Sequence, residues 1–167
     1  MSPVSDEAQA LVRQHRFQGT STRHNVASDQ PKTVLKNGRI VLCEKIKSDV
    51  LRKGPLFDAV AEQHPWVEQI TVNYNLRCTP HVDKNEGESL FAMFGDFVGG
   101  ALAVEAPDKS VKLFSHKGVW HTFNGRHRHW TQSFEGDRWS IVTYKKPKPK
   151  NGRGAGTGDL SALPADL

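Results

Sequence analysis

The stretch "ITVNYNLRC", residues 70–78, places Ile70, Val72, Tyr74 and Leu76 in strict alternation with Thr71, Asn73, Asn75 and Arg77. Alternate side chains of an extended chain point to opposite faces, so this period of two predicts a half-buried β-strand. The same texture continues downstream in "SLFAMF", "GALAVE", "VKLF", "GVWHTF" and "RWSIVTY", each separated from the next by turn residues. Short strands at such regular intervals predict a β-sandwich or barrel instead of βαβ units. The expected fold class is mainly β with a flanking helix, built on a jelly-roll core.

Upstream, the pattern is different. Residues 1–30 show no sustained period and read as an N-terminal arm, with a short helix over Asp6 to His15. "TVLKNGRIVLC" places two β-type runs around Asn37-Gly38, a strong signal for a tight hairpin. Ser48 reads as the N-cap of a helix carrying Val50, Leu51, Phe57, Val60 and Ala61, interrupted at Gly54-Pro55 and closed by His64-Pro65. The division expected is an arm (1–30), one main domain (31–145) and a basic flexible tail (146–167).

The chain has 167 residues, 37% hydrophobic and 25% charged, a composition that suits one globular domain with a real core. No apolar run approaches the roughly 18 residues that crossing a membrane requires. The polar start, MSPVSDEAQALVRQHRF, does not read as a secretory signal. Cys43 and Cys78 are too few for a disulfide framework, which points to an intracellular protein with reduced thiols. Of the formal charge of +5, about +3 lies beyond Tyr144, in four Lys and one Arg against Asp159 and Asp166. Such a Pro- and Gly-broken tail suits a phosphate backbone or an acidic partner; a purely solubilising tail is the alternative.

Chemistry concentrates after the first strand. In "TPHVDKNEGES", residues 79–89, His81 and Asp83 are two residues apart, which places both on one side of an extended backbone. Two imidazoles and one carboxylate on one face of a metal leave positions open for a cosubstrate and O₂, an arrangement suited to non-haem Fe(II). The second imidazole must come from a distant strand, and "WHTFNGRHRHW" offers His121, His127 and His129. Arg138-Trp139-Ser140 selects among them. A dicarboxylate such as 2-oxoglutarate needs a fork-shaped cation for its far carboxylate, and Arg138 and Ser140 share one strand face. His129 lies nine residues earlier, room for a strand, a turn at Phe134–Asp137 and a start on the adjacent strand; His127 is the second choice.

On continued alternation, Asn73 and Asn75 share the face of His81 and Asp83, so Asn73 or Asn75 is placed to touch the cosubstrate. Gly95, Gly99 and Gly100 lack the strand–loop–helix context of a phosphate loop and read as turn glycines. Trp120, Trp130 and Trp139 read as core. Arg126, Arg128, His121 and His127 cluster near the expected mouth of the site, while His24, His64 and His116 read as surface residues. Zinc is a competing metal, but it gives no role to Arg138 and Ser140. A nucleic-acid-binding barrel without catalysis is a competing class; it leaves both triad and anchor unexplained.

Together, His81-x-Asp83, distal His129 and Arg138-x-Ser140 resemble the Fe(II)/2-oxoglutarate-dependent dioxygenases. More narrowly, "HVDKNEGESLFAMFGDFVGGALAVE" with "KGVWHTFNGRHRHWTQSFEGDRWSIVTY" is similar to their TET/JBP-like branch, over about residues 72–144. The resemblance implies a double-stranded β-helix (jelly roll) and a dioxygenase domain over 31–145. It implies iron held by His81, Asp83 and His129, and 2-oxoglutarate held by Arg138 and Ser140 with Asn73 beside them. It also implies O₂ as cosubstrate, ascorbate as a reductant, and oxidation of a methylated pyrimidine in DNA, 5-methylcytosine or thymine. The alternative substrate is a small molecule or a protein side chain. The protein is expected to be a monomer without membrane attachment, nuclear in a eukaryote and cytoplasmic otherwise.

Overall fold

A computed structural model describes residues 2–18, 26–27, 33–36, 39–42 and 46–145, with backbone alone for 33–36 and 39–42. The basic tail (146–167), Cys43, His24 and the Asn37-Gly38 turn lie outside the described residues. Among those described, no helix is long and apolar enough to cross a membrane.

Helix α1 (Asp6–Gln14) starts where the arm was expected to be helical. Ser5 caps it, its Oγ accepting from the Ala8 N–H at 3.1 Å, and Asp6 and Glu7 in the first turn complement the helix dipole. Strands β1 (Thr33–Lys36) and β2 (Arg39–Leu42) pair antiparallel with Lys36 opposite Arg39, the register of a two-residue hairpin. Ser48 does not cap a helix. It lies within β3 (Lys47–Leu51), and α2 (Pro55–Gln63) begins one turn later, with Gly54 at the cap at φ 102° and Pro55 in the first turn. The Ser48–Leu51 run that reads as a helix start is drawn into the sheet because β4 (Gln69–Tyr74) offers it a complete backbone ladder. His64 ends α2, as expected.

The remaining strands are β5 (Glu86–Gly99), β6 (Leu102–Glu105), β7 (Val111–Phe114), β8 (His121–Phe123), β9 (His129–Thr131) and β10 (Phe134–Lys145). They form a five-stranded sheet ordered β3-β4-β10-β5-β8 and a three-stranded sheet ordered β7-β6-β9, to which His81 adds by an isolated bridge to His129. The chain passes repeatedly between the sheets: β4 in the larger, His81 in the smaller, β5 back in the larger, β6 and β7 in the smaller, then β8, β9 and β10 in turn. All pairings are antiparallel. The fold is a double-stranded β-helix.

Two sequence expectations fail here for one reason, that the chain leaves a sheet earlier than alternation suggests. β4 stops at Tyr74 because Asn75 adopts φ 54°, a left-handed conformation that Asn tolerates. Residues 75–80 then cross to the other sheet, so Asn73 and Asn75 do not share a strand face with His81 and Asp83. Likewise Phe134–Asp137 is not a turn. β10 runs unbroken from Phe134, and β9 and β10 belong to different sheets. His129 and Arg138 therefore face each other across the barrel instead of lying on neighbouring strands.

The larger sheet has two unlike faces. Ile70, Val72, Leu90, Ala92, Phe94 and Ile141 point outward and pack with Val12, Leu56, Val60 and Trp120 into the main core. A second cluster, Phe91, Met93, Phe97, Leu102, Val104 and Phe123, fills part of the space between the sheets. What it leaves open is the cavity that carries the polar residues.

Candidate metal and anion site

His81, Asp83 and His129 come together with ligand atoms all within 4.8 Å of one another. Their backbones are tied in place. His81 and His129 exchange N–H···O bonds of 3.0 and 2.9 Å, and the Asp83 N–H donates to the Gly125 carbonyl at 2.8 Å. Each imidazole is oriented in the same way. Nδ1 of His81 donates to the Thr79 carbonyl at 2.7 Å, and Nδ1 of His129 donates to the His127 carbonyl at 2.8 Å. A carbonyl only accepts, so both rings carry a proton on Nδ1, which makes Nε2 the ligating atom of each neutral ring. Those Nε2 atoms lie 3.9 and 3.2 Å from the Asp83 carboxylate oxygens. Two fixed nitrogen lone pairs converging on one carboxylate are what a divalent transition metal requires. His127 is not part of this group; its contribution is the carbonyl that orients His129.

The group opens onto a cavity of about 210 Å³, also lined by Asn73, Cys78, Phe123, Arg138, Ser140, Val142 and Tyr144. Along β10 the even-numbered residues face inward, so one strand delivers Arg138, Ser140, Val142 and Tyr144 to it. Across the sheet, Ser140 pairs with Asn73 and Asn73 with Ser48. Ser48 Oγ donates to Asn73 Oδ1 at 2.6 Å, and Asn73 Nδ2 donates to Ser140 Oγ at 3.3 Å. Because Ser140 accepts from Asn73, its own hydroxyl proton remains for a ligand. Asn73 thus stands behind Ser140, while Asn75 accepts from the Arg138 backbone N–H at 2.8 Å.

Arg138 is 2% exposed. Nε donates to the Gly100 carbonyl at 3.0 Å and an Nη reaches the Met93 sulfur at 3.9 Å. The rings of Phe91, Phe97 and Phe134 lie 5.5 to 5.7 Å from its guanidinium carbon. Among the described residues no carboxylate pairs with it. Burial pulls its pKa down to about 10, and the electrostatic interaction with Cys78 opposes part of that fall. A cation desolvated in this way, with no carboxylate beside it among the described residues, can take an anion that enters the cavity. Gly100 makes the approach possible: at φ 75°, a Cβ there would lie 2.9 Å from Arg138 Nε.

Other expected residues fall elsewhere. His121 is buried and bonded through Nε2 to the His116 carbonyl at 2.9 Å, and it does not line this cavity. His64 is only half-buried, yet its Nε2 is enclosed without a hydrogen-bond partner beside Trp120, and burial holds its pKa below 6.5. Trp120 is core, as read. Arg126 and Arg128 are exposed on the turn that carries Gly125. Sequence reasoning missed the three phenylalanines around Arg138, the role of Gly100 and Cys78. Two of these gave a signal: Cys78, three residues before His81, and Phe134, four residues before Arg138 on one strand face.

No protein-family model and no curated protein sequence matches the chain. Among solved structures, it is similar to an oxidoreductase of the 2OG-Fe(II) oxygenase family from Burkholderia pseudomallei, with 18% identity and a TM-score of 0.43. That match covers 55% of this chain and 50% of the other, so this chain spans half the length of that relative. It is also similar to a Pseudomonas putida prolyl-4-hydroxylase, at 10% identity and a TM-score of 0.47 over 84% of this chain and all of the other. A variant of Bacillus subtilis oxalate decarboxylase overlaps at 11% identity and a TM-score of 0.41, over 81% of this chain and 33% of that one. These are distant likenesses, and the strand order, not the overlap, defines the fold.

Proposed function

We propose that the protein is an Fe(II)/2-oxoglutarate-dependent dioxygenase. The observation that carries this reading is a pairing within one cavity. At one end, two oriented Nε2 atoms meet a carboxylate; at the other, Arg138 is buried and pairs with no carboxylate among the described residues. A zinc site or a simple binding barrel has no use for the second feature.

In this reading His81, Asp83 and His129 hold the metal, and the carbonyls of Thr79 and His127 keep both imidazoles in the ligating tautomer. Arg138 takes the far carboxylate of 2-oxoglutarate, and the Ser140 hydroxyl, held by Asn73, donates to the same group. Phe91, Phe97 and Phe134 exclude water from that contact, which strengthens it. Bound iron with 2-oxoglutarate and O₂ supplies oxidative decarboxylation to succinate and CO₂, coupled to oxidation of a substrate C–H bond.

For the substrate we infer a methylated pyrimidine in DNA. The support is the resemblance of residues 81–105 and 117–144 to the TET/JBP-like branch, together with exposed Arg126 and Arg128 on the turn beside Asp83. A base must leave the duplex to reach an enclosed metal, and cations at the rim suit the flanking phosphates. The test is mass spectrometry of nucleosides after incubation with methylated DNA, Fe(II), 2-oxoglutarate and ascorbate. Oxidised pyrimidine with wild type and none with His129→Ala supports the assignment. Succinate without base oxidation moves the substrate to a small molecule or protein side chain.

A further inference from the structure

The cavity is closed where Arg138 lies and open at its other end. There Val50, 47% exposed, lines it and pairs across the sheet with Thr71, so this is where the cavity meets solvent. Thr71 and Tyr144 line the same end, and their hydroxyls bond each other at 2.9 Å. Behind them Gln69, 7% exposed, donates from Nε2 to the Tyr144 hydroxyl, and its Oε1 accepts nothing among the described residues. Two hydroxyls own two protons. One is spent in the bond between them, whichever way that bond points, and Gln69 gives a proton but takes none. One O–H is therefore left over, on Tyr144 or on Thr71. Val50 and Val142 stand on either side of Thr71 in the sheet, so the wall around this donor is apolar. Thr71 and Tyr144 belong to the larger sheet, whereas His129 and the bridged His81 belong to the smaller one, so the donor and the metal ligands lie on opposite walls.

We propose that the Thr71–Tyr144 pair orients the substrate by donating one hydrogen bond to a carbonyl oxygen, the C2 carbonyl where the substrate is a methylated pyrimidine. The inference rests on the proposed function of this cavity. In a pyrimidine the C2 carbonyl lies across the ring from the C5 methyl group. A base held through that oxygen at the larger sheet turns its methyl group toward His81, Asp83 and His129. The C2 carbonyl is common to cytosine and thymine, so the contact sets the orientation of either base and does not choose between them. Orientation of this kind acts on the reacting step as well as on binding.

Each hydroxyl can stand in for the other. Tyr144→Phe leaves the Thr71 proton and Thr71→Val leaves the Tyr144 proton; only the double variant has no donor. With methylated DNA, Fe(II) and 2-oxoglutarate, oxidised base and succinate are measured together, and 2-oxoglutarate affinity is read by anaerobic calorimetry. Each single variant should stay close to wild type in kcat/KM for the base. The double variant should fall about tenfold, the scale of one lost hydrogen bond, with more succinate formed per oxidised base and 2-oxoglutarate affinity held. If the double variant fails to fold, DNA whose methylated pyrimidine carries a C2 thiocarbonyl decides with wild type alone, because sulfur accepts weakly. A severalfold loss of base oxidation then supports the contact, and undiminished oxidation overturns it. A double variant no worse than either single one overturns the proposal and leaves the function standing. So does a loss of 2-oxoglutarate affinity with an unchanged ratio of succinate to oxidised base, which places the donor on the cosubstrate. Succinate without base oxidation in wild type overturns the pyrimidine substrate and this contact with it.

Discussion

The two faces of the larger sheet share the same strands and do opposite jobs. Outward, Ile70, Val72 and Ile141 are fully buried against helices α1 and α2. Inward, one residue away in each case, Thr71, Asn73 and Ser140 carry hydrogen-bonding groups that face the cavity. The outer face contributes stability by removing apolar area from water. The inner face holds polar groups that are costly to bury, one of them a cation that pairs with no carboxylate among the described residues. Substitutions on the two faces should therefore separate stability from binding.

The largest effects come from the strongest contrast. Ile141→Ala should destabilise the fold by about 2–5 kcal/mol, because it leaves a cavity between sheet and helices, while the affinity of the folded fraction for 2-oxoglutarate stays close to wild type. Arg138, three residues earlier on the same strand and facing the cavity, behaves in reverse. Arg138→Met should weaken 2-oxoglutarate by roughly two to three orders of magnitude, since losing one partner of a desolvated ion pair typically costs about 3–5 kcal/mol. The same change should leave unliganded stability unchanged or raised, as methionine suits a shell of three phenylalanines better than an uncompensated guanidinium. Thermal melts with and without cosubstrate read both numbers. A large loss of stability in Arg138→Met without ligand would break the contrast.

A smaller effect tests the row behind the anchor. Asn73→Ala leaves Ser48 without its acceptor and Ser140 without its donor, an expected cost of about 1–3 kcal/mol, with a modest rise in the 2-oxoglutarate dissociation constant measured by calorimetry. Gly100→Ala should cost about 1–2 kcal/mol for its left-handed conformation, and it should also push Arg138 and weaken cosubstrate binding. If only stability falls, Gly100 does not position the anchor. The smallest effect concerns the outer face. Burial lowers the His64 pKa, so below pH 6.5 the unfolded chain takes up a proton more readily than the folded one. Its contribution to stability is complete above pH 6.5 and is lost as pH falls through the depressed value. His64→Gln should flatten the acid limb of the metal-free protein's stability curve, as read by urea titration at each pH.

Much of this division was legible in the sequence because a strand's period of two is written directly in residues 70–74 and 138–144. That period gave the fold class and the shared face of Arg138 and Ser140, and the HxD spacing with a distant histidine gave the triad that the fold assembles. What alternation could not show is where a strand leaves its sheet. Asn75 looks like one more polar strand residue, yet its left-handed backbone sends the chain across the barrel. Ser48 looks like a cap, yet pairing with β4 outweighs local helix preference. The surroundings of Arg138 were illegible for a different reason: apart from Phe134, four residues earlier on the same strand face, Phe91, Phe97 and Gly100 meet it only through pairing of distant segments.

Calorimetric titration of 2-oxoglutarate into the anaerobic Fe(II)-loaded protein, compared between wild type, Asp83→Ala and Arg138→Met, bears most directly on the cavity as a joint metal and dicarboxylate site. Saturable binding in wild type, lost in both variants while circular dichroism shows both folded, is the expected result. Undiminished binding in Arg138→Met, or no binding in wild type, would contradict it.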